Sequence, residues 1–514
     1  MMNGMNKKWM AGCWMMLLVG IMASCASGDN YESALPKDAA LVVSVNPASM
    51  AEKSGLAGEE GTAVVQKLGD ALKSGMQGSE QLIDKMMDDP AESGIDFRKD
   101  MYFFVESQTV SAGILARVSH AGKLEALFDE LGRQQICSSL AEEDGCTWTV
   151  LGNVLAAYTS DALLLLTDPN GGSPQDMRHT ASMLLRQNEN EGYRATPDFG
   201  LLKKGKGDIV ALGSLDLIPG KYVTPMLMGI SGDLKLEDVK YLAEIRFGQG
   251  KMTVDFTDLT TDAVMKRMKE QQLQAFGEIE GEYLDCFPAN TGFWMSVHID
   301  GKKMYELLCG HPVLGNQLEN SMMPVDFEAI FHALKGDMAV AGDVLSGTFI
   351  AYADVTDDRF LQTFEDLKPL LALTGGQMRL FNRGASGYEF RMQDGSVIGM
   401  RPGNQSLWFG VSEGRFYLTN HADLINARVP GLTLRDCPWG KSVKGKRCFY
   451  AMNLGALAEN AQSVAGRPEL QALGFVKGLD YLTIEGVNAE KSRMELVMKD
   501  SQINILSSLL SAFK

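Results

Sequence analysis

The residues with the most chemistry to offer are eight cysteines. Two of them stand near the N-terminus behind small residues: Cys13 follows Met10, Ala11 and Gly12, and Cys25 follows Met22, Ala23 and Ser24. A cysteine in that setting can be lipidated on sulfur once the chain is exported and cut in front of it. Only Cys25 has an uncharged run before it, the sixteen residues Trp9 to Ser24 behind Lys7 and Lys8. A basic start, a short apolar run and small residues at the cut are the layout of an export signal, and the run is short for a spanning helix of roughly 20 apolar residues. The sequence therefore predicts a signal over residues 1–24, lipid on Cys25, and a tether over residues 25–34. Met22 stands where leucine is usual in such a motif.

The other six cysteines fall in local pairs: Cys137 with Cys146, Cys286 with Cys309, and Cys437 with Cys448. An exported protein permits disulfides, and Cys137 to Cys146 is the pair the sequence favours, because both flank the polar loop SSLAEEDG. As free thiols they would act as small apolar residues. No pair has the CxxC spacing of zinc or thioredoxin-like sites. The six histidines (His120, His179, His298, His311, His332 and His421) never stand at helical ligand spacing with a carboxylate, so an HExxH-type metal site is absent from the sequence. No GxSxG elbow occurs. WGKS at Trp439 lacks the first glycine of a phosphate loop, since Arg435 occupies that place. DPNGGSPQD at Asp168 has oxygen donors for calcium but not the DxDxDG order, so it reads as a surface loop. Asp357 and Asp358 open a helix, where acids favour the positive end of the dipole. No catalytic, metal or cofactor-binding residues are assigned, and no cofactor is expected. Among the tryptophans, Trp148, Trp294 and Trp408 lie in apolar strands and read as core, while Trp439, between Pro438 and Gly440, reads as exposed and available for stacking on a sugar.

Elements to position these residues can be read from periodicity. One half offers strands at LVVSV, MYFFVES, GILARVS, TWTVL, VLAAYTS, ALLLLTD, IVALGSL, YLAEIRF and KMTVDFT. The other half offers FWMSVHI, MAVAGDV, TFIAYADV, YEFRMQ, LWFGVS, RFYLTN, CFYAMNL, YLTIEGV and RMELVMK. Helices interrupt them, for example at GKLEALFDELGRQ and FEAIFHALKG. Short turns between several strands are a hairpin signature, and irregularly placed helices favour α+β over a doubly wound fold.

The same order in both halves points to internal repetition. LPKDAALVVSV at Leu35 is echoed 252 residues on by FPANTGFWMSV, so Pro36 meets Pro288 and Ser44 meets Ser296. KGKGDIVAL at Lys204 is echoed by KGKRCFYAM at Lys444, and YLAEIRF at Tyr241 by YLTIEGV at Tyr481. The expectation is an α+β fold of two tandem copies, residues 35–282 and 283–514, each a largely antiparallel sheet with interspersed helices.

Composition sets further bounds. The chain has 514 residues, 45% hydrophobic and 22% charged, with a formal net charge of −17. Without Lys7 and Lys8 there are 46 basic residues against 65 acidic ones. That balance disfavours nucleic acid, which demands clustered Lys and Arg; KKGKGD at Lys203 reads as a solvated loop.

The lipidation motif, the short tether and the Pro36, Lys37, Asp38, Ala39 element leading into a strand resemble the Bacteroidota lipoproteins grouped as domain-of-unknown-function family 4836. That resemblance implies an outer-membrane lipoprotein of no assigned activity. Three functions remain in play: a non-catalytic envelope protein that binds a protein partner or helps assemble a complex; a binder of glycan, peptide or lipid in a groove between the halves; and an enzyme with an unrecognised carboxylate site. The first has the anchor and the lack of a catalytic motif behind it. The membrane, through the lipid on Cys25, is the partner the sequence itself names.

Overall fold

The computed structural model describes residues 30–55, 66, 69–70, 73, 80–106, 111–168, 171, 173–218, 234–319, 325–384, 386–398, 403–425, 427, 429–463 and 476–511. Cys25 lies outside the described residues, as do the whole export signal and residues 25–29 of the tether. The chain divides into two units: Met1–Val223 with Lys235–Thr260 and Asp500–Lys514, and Thr224–Leu234 with Thr261–Lys499.

The first unit is built on strands β1 (Ala39–Val45), β2 (Met101–Glu106), β3 (Ala112–Arg117), β4 (Ala141–Glu143), β5 (Cys146–Leu151), β6 (Val154–Tyr158), β7 (Ala162–Thr167), β8 (Ile209–Ser214), β9 (Lys240–Phe247) and β10 (Lys251–Asp258). They pair antiparallel throughout in the order β4-β5-β6-β7-β3-β2-β1-β8-β9-β10. Helices α1 (Pro47–Ser54), α2 (Glu80–Asp88), α3 (Ala121–Arg133), α4 (Pro174–Leu185) and α5 (Pro197–Lys204) join it, with the C-terminal helix Ile505–Ser511.

The run ALLLLT of β7 does not alternate because both faces of the sheet are covered. Leu164 and Leu166 point into a core shared with Ala181 and Leu184 of α4 and Phe199 and Leu202 of α5. Leu163 points into another shared with α3. Helix α3 forms because Leu124, Leu127, Phe128 and Leu131 recur at three and four residues and are all buried. Helices α1, α4 and α5 each begin on a side-chain cap (Asn46, Ser173 and Thr196) followed by proline at the first turn.

The second unit repeats the scheme. Its strands are β11 (Phe293–Asp300), β12 (Leu334–Asp343), β13 (Thr348–Val355), β14 (Met378–Asn382), β15 (Gly387–Met392), β16 (Gln405–Ser412), β17 (Arg415–Thr419), β18 (Cys448–Asn453), β19 (Leu479–Gly486) and β20 (Lys491–Met498). Their antiparallel order is β14-β15-β16-β17-β13-β12-β11-β18-β19-β20, which is the order of the first unit strand for strand. Helices are α6 (Ala263–Ala275), α7 (Gly301–Cys309), α8 (Pro312–Glu319), α9 (Phe327–Ala333), α10 (Gln362–Ala372) and α11 (Leu454–Ser463). The fold is α+β with antiparallel sheets and interspersed helices.

Several elements differ from the sequence reading. Helix α9 stops at Ala333, short of the expected Gly336, because Leu334 turns extended and Lys335 pairs with Asp300. Strands β4 and β14 carry no signal in the reading above. Both are the outermost strand of their sheet, paired on one side only within their unit.

Candidate functional site

A cavity of 260 Å³ in the second unit is walled by the start of β11, the end of β18, the start of β19 and the segment 432–439. The ladders assemble it: Trp294 stands opposite Ala451, and Asn453 opposite Tyr481. Trp294 is 1% exposed. Its ring stacks on Trp439 at 5.8 Å and 25° and tilts against Phe449 at 6.0 Å. Trp439, expected to be exposed, is half-buried, since it also stacks on Phe449 at 5.5 Å. The indole Nε1 of Trp294 is buried without a hydrogen-bond partner.

The segment that carries Trp439 is pinned from several sides. Leu434 N donates to Phe287 O at 3.0 Å, and Thr433 N donates to the Asp436 carboxylate at 2.9 Å. Arg435 binds Asp285 through its Nε at 2.8 Å. Gly440 packs so closely on Leu434 and Arg435 that a Cβ there would lie 2.4 Å from the Leu434 carbonyl oxygen. Asp436 and Asp480 give the cavity its acidic groups, and among the described residues no Lys, Arg or His lines it. Burial, and then the charges of Asp436 and Asp480, push the Cys437 thiol pKa up. Burial, then Glu495, Asp480 and Cys437, do the same to Tyr481.

The first unit treats the equivalent place differently. Tyr193 N donates to Leu35 O at 2.9 Å, as Leu434 does to Phe287. Val42 stands opposite Leu212 where Trp294 stands opposite Ala451, and Lys240 opposite Ser214 where Tyr481 stands opposite Asn453, so the ladders set Lys240 on Tyr481, one residue off the sequence echo that set Tyr241 there. Counting on from Tyr193 and Leu434 sets Pro197 on Pro438 and Asp198 on Trp439. Asp198 and Lys240 form an ion pair of 2.7 Å, while the rings of Tyr193 and Phe199 meet edge to face in the core below. An ion pair and filled core in one unit thus correspond to an aromatic cavity in the other.

A second cavity, of 180 Å³, lies in the first unit between α4 and the β5–β6 hairpin. Arg178 covers the Trp148 ring at 4.5 Å, and Trp148 Nε1 and Ser182 Oγ are buried without partners. Cys146 lines this cavity. Cys137 instead turns its thiol toward the Phe128 carbonyl at 3.4 Å. Both are buried free thiols in the structure.

Several carboxylates outside the cavities are engaged in structural roles. Asp337, 2% exposed, accepts from Glu280 N, from Gly281 N at 2.7 Å and pairs with His298 Nδ1 at 3.0 Å. Tyr283 OH donates to Asp354 at 2.5 Å. Asp357 binds Arg359 at 2.7 Å. Among the described residues there is no group of three or more His, Cys, Asp or Glu that could hold a metal ion.

A family model for a domain of unknown function, DUF4836, matches residues 31–506. The chain belongs to the DUF4836 family. The match spans both units and both cavities of this DUF4836 protein, and it assigns none of their residues a role. No curated protein matches the chain. Among solved structures, crystal form IV of TP0453 is similar to it at 12% identity and a TM-score of 0.28, over 45% of this chain and 81% of that one. Crystal form III of TP0453 gives 13% identity and a TM-score of 0.28, over 50% and 92%. Likenesses of that size carry no conclusion about this DUF4836 protein.

Proposed function

We propose that the protein is an exported, lipid-anchored binding protein of the cell envelope, and that the aromatic cavity of the second unit is its ligand site. The observation that carries the reading is the contrast between the units: where the first has the Asp198–Lys240 ion pair over a filled core, the second has a cavity lined by Trp439, Tyr481, Asp436 and Asp480. Anchoring on Cys25 rests on the sequence: a basic start, an uncharged run and small residues before the cysteine. Among the described residues no helix is long and apolar enough to cross a membrane. The outer membrane is the one the sequence resemblance implies, and a protein partner in the envelope fits the same anchored, non-catalytic reading.

The two units are proposed to be copies of one ancestral unit. Identical strand order supports this, as do Ser44 and Ser296 in matching central strands and the equivalent bonds from Tyr193 to Leu35 and from Leu434 to Phe287.

Saturation-transfer NMR of the full-length protein with a mixture of sugars, amines, organic acids and short peptides tests the ligand site. At least one class should bind, and Asp480→Asn should alter its affinity. Binding that ignores changes at Asp480 and Trp439 would refute the assignment.

A further inference from the structure

We infer that copies of this chain join edge to edge, β4 of the first unit in one copy adding to β14 of the second unit in another. Among the described residues each of these strands is paired on one side only. The open side of such a strand presents N–H and C=O groups that a further strand can pair. On β14, Gln377 O accepts from Gln393 N, and Arg383 N donates to Gly387 O. In that register Gln377, Arg379, Phe381 and Arg383 bond inward to β15. Met378, Leu380 and Asn382 therefore turn their backbone groups outward, and Met378 N is already taken by Thr374 Oγ1. Leu380 and Asn382 are left to receive a strand.

The edge of β4 has the matching alternation. Asp144 and Gly145, at φ 55° and 75°, form the two-residue turn that ends it, so Glu143 and Cys146 close the hairpin as a hydrogen-bonded pair. Glu142 and Leu140 then turn their backbone groups outward. Antiparallel addition that sets Leu380 against Glu142 and Asn382 against Leu140 uses the open groups of both strands. The same register sets Arg379 directly opposite Glu143 and Phe381 opposite Ala141.

Charge selects this pairing over the others. Arg379 is exposed, stands opposite Arg391 in the ladder, and has no acidic partner among the described residues. Glu389 is committed to Arg383 and Arg391. Like charges directly opposite each other destabilise a sheet, and an acid on the open side of Arg379 offsets that. Glu142 is exposed with no basic partner among the described residues, and the exposed Glu143 meets Arg178 only at 4.0 Å. Joining two copies of β14 through Leu380 and Asn382 would instead set Arg379 against Arg383, and joining two copies of β4 would gather Glu142 and Glu143 from both.

Charged edges ordinarily keep sheets apart. One sign on both edges would exclude every combination, whereas opposite signs leave one combination open. The contact is heterologous, and every chain carries one edge of each kind, so assemblies of more than two copies are permitted. A few backbone bonds and one exposed ion pair make it weak. Copies held in one membrane would meet at a raised effective concentration, but the pairing itself depends on neither the lipid nor the ligand cavity.

The test is disulfide trapping between copies of the full-length protein in non-ionic detergent, in a Cys448→Ser background that removes the exposed native thiol. Chains with Phe381→Cys are mixed with chains with Ala141→Cys under mild oxidation, and each is also oxidised alone. A second pair, Asn382→Cys with Leu140→Cys, repeats the measurement at positions where the half-buried Phe381 ring is kept, and circular dichroism checks that every variant is folded. Each mixture should trap at least fivefold more dimer than either variant alone, and at least fivefold more than Phe381→Cys mixed with Asn153→Cys at the β5–β6 turn. Adding Arg379→Glu to one chain or Glu143→Arg to the other should cut the yield at least threefold, and adding both should restore at least half of it. Equal trapping by mixed and unmixed folded variants, trapping no greater than with Asn153→Cys, or double reversal no better than single reversal would each overturn the pairing.

Discussion

Trp439 stacks on Trp294 with ring centroids 5.8 Å apart and planes at 25°, joining a loop residue to a central strand. The loop is held at its base by other bonds, so this contact shapes the cavity wall. Trp439→Ala removes a half-buried ring from two partners, Trp294 and Phe449, and opens the space above them. Loss of a buried Trp costs ~3–5 kcal/mol, and partial exposure reduces this to about 2–3 kcal/mol. Urea denaturation should report the loss as a lower midpoint, with Trp439→Phe recovering at least half of it. A change within ~0.5 kcal/mol for the alanine variant would contradict the stacked geometry.

Glu389 is 2% exposed and receives bonds from Arg391 at 2.8 Å, Arg383 Nε at 2.9 Å and Ser406 at 3.0 Å. Burial pushes its pKa up, but the bonds from Arg383, Arg391 and Ser406 outweigh burial and hold it below the ordinary 4.5. Because the folded value is depressed, the carboxylate's contribution is present above pH 4.5 and lost as pH falls through the folded value. Breaking a buried pair costs ~3–5 kcal/mol; with both arginines half exposed, Glu389→Gln should cost about 1–3 kcal/mol at pH 7. Denaturation at pH 7 and at pH 3 should show that gap narrowing. A gap that widens on acidification would refute the sign.

Nine strands in each half are legible in the sequence because they are apolar or alternating and end in clear turns. The tenth is not. β4 is three residues long, AEE, with Glu142 and Glu143 exposed, so it carries no apolar period at all. β14, MRLFN, sits at the same outer position, where one-sided pairing lets Arg379 and Asn382 face solvent. Short helices such as α1 and α7 were illegible for a related reason: their caps, Asn46 and Asp300, are strong, but eight or nine residues give too little period. The cavity was hidden for a different reason. Pro438 and Gly440 make Trp439 look like a loop tip, and only the non-local rings of Trp294 and Phe449 bury it. Setting Pro438 on Pro197 within the repeat was the available signal, since it aligns Trp439 with a charged residue in the other half.

Gly94 ends the 3-10 turn Pro90–Ser93 at φ +79° and packs against the start of α3, so a Cβ there would lie 2.6 Å from the His120 carbonyl oxygen and 2.7 Å from Leu124 N. Both are backbone atoms that cannot swing away. Left-handed backbone costs a non-glycine residue ~1–2 kcal/mol, and overpacking adds ~1–3 kcal/mol. Gly94→Ala should therefore lower stability by about 2–5 kcal/mol. Gly152 has φ +62° with nothing near its Cβ position, so Gly152→Ala should cost only about 1–2 kcal/mol. Thermal melts of the two variants separate the clash from the backbone term, and equal shifts would refute it.

The thiols should differ sharply in reactivity. Cys448 is exposed, whereas Cys137 and Cys146 are buried, and burial raises the Cys146 pKa further against formation of its thiolate. Maleimide applied to the native protein should label Cys448 first. After denaturation without reductant, Cys137 and Cys146 should both label, as peptide mass spectrometry would show. Failure of that pair to label until a reductant is added would establish a bridge between them.

Cys25 offers the most direct check on location, because lipid attachment changes where the whole chain is found. Each buried methylene contributes ~0.8 kcal/mol, and one acyl chain holds a protein only marginally, whereas two chains anchor it stably. The folded units carry a formal charge that disfavours anionic headgroups: 46 basic against 65 acidic residues once Lys7 and Lys8 are removed. Membrane attachment should then depend on the lipid and resist salt. Wild-type protein should incorporate an alkyne-bearing fatty acid and sediment with membranes in 1 M salt, roughly where surface charge is screened within about 3 Å. Cys25→Ser should lose the label and move to the soluble fraction, while Cys13→Ser, whose cysteine follows Lys8 too closely for an apolar run, should behave as wild type. Label retained in Cys25→Ser, or lost in Cys13→Ser, would move the anchor elsewhere.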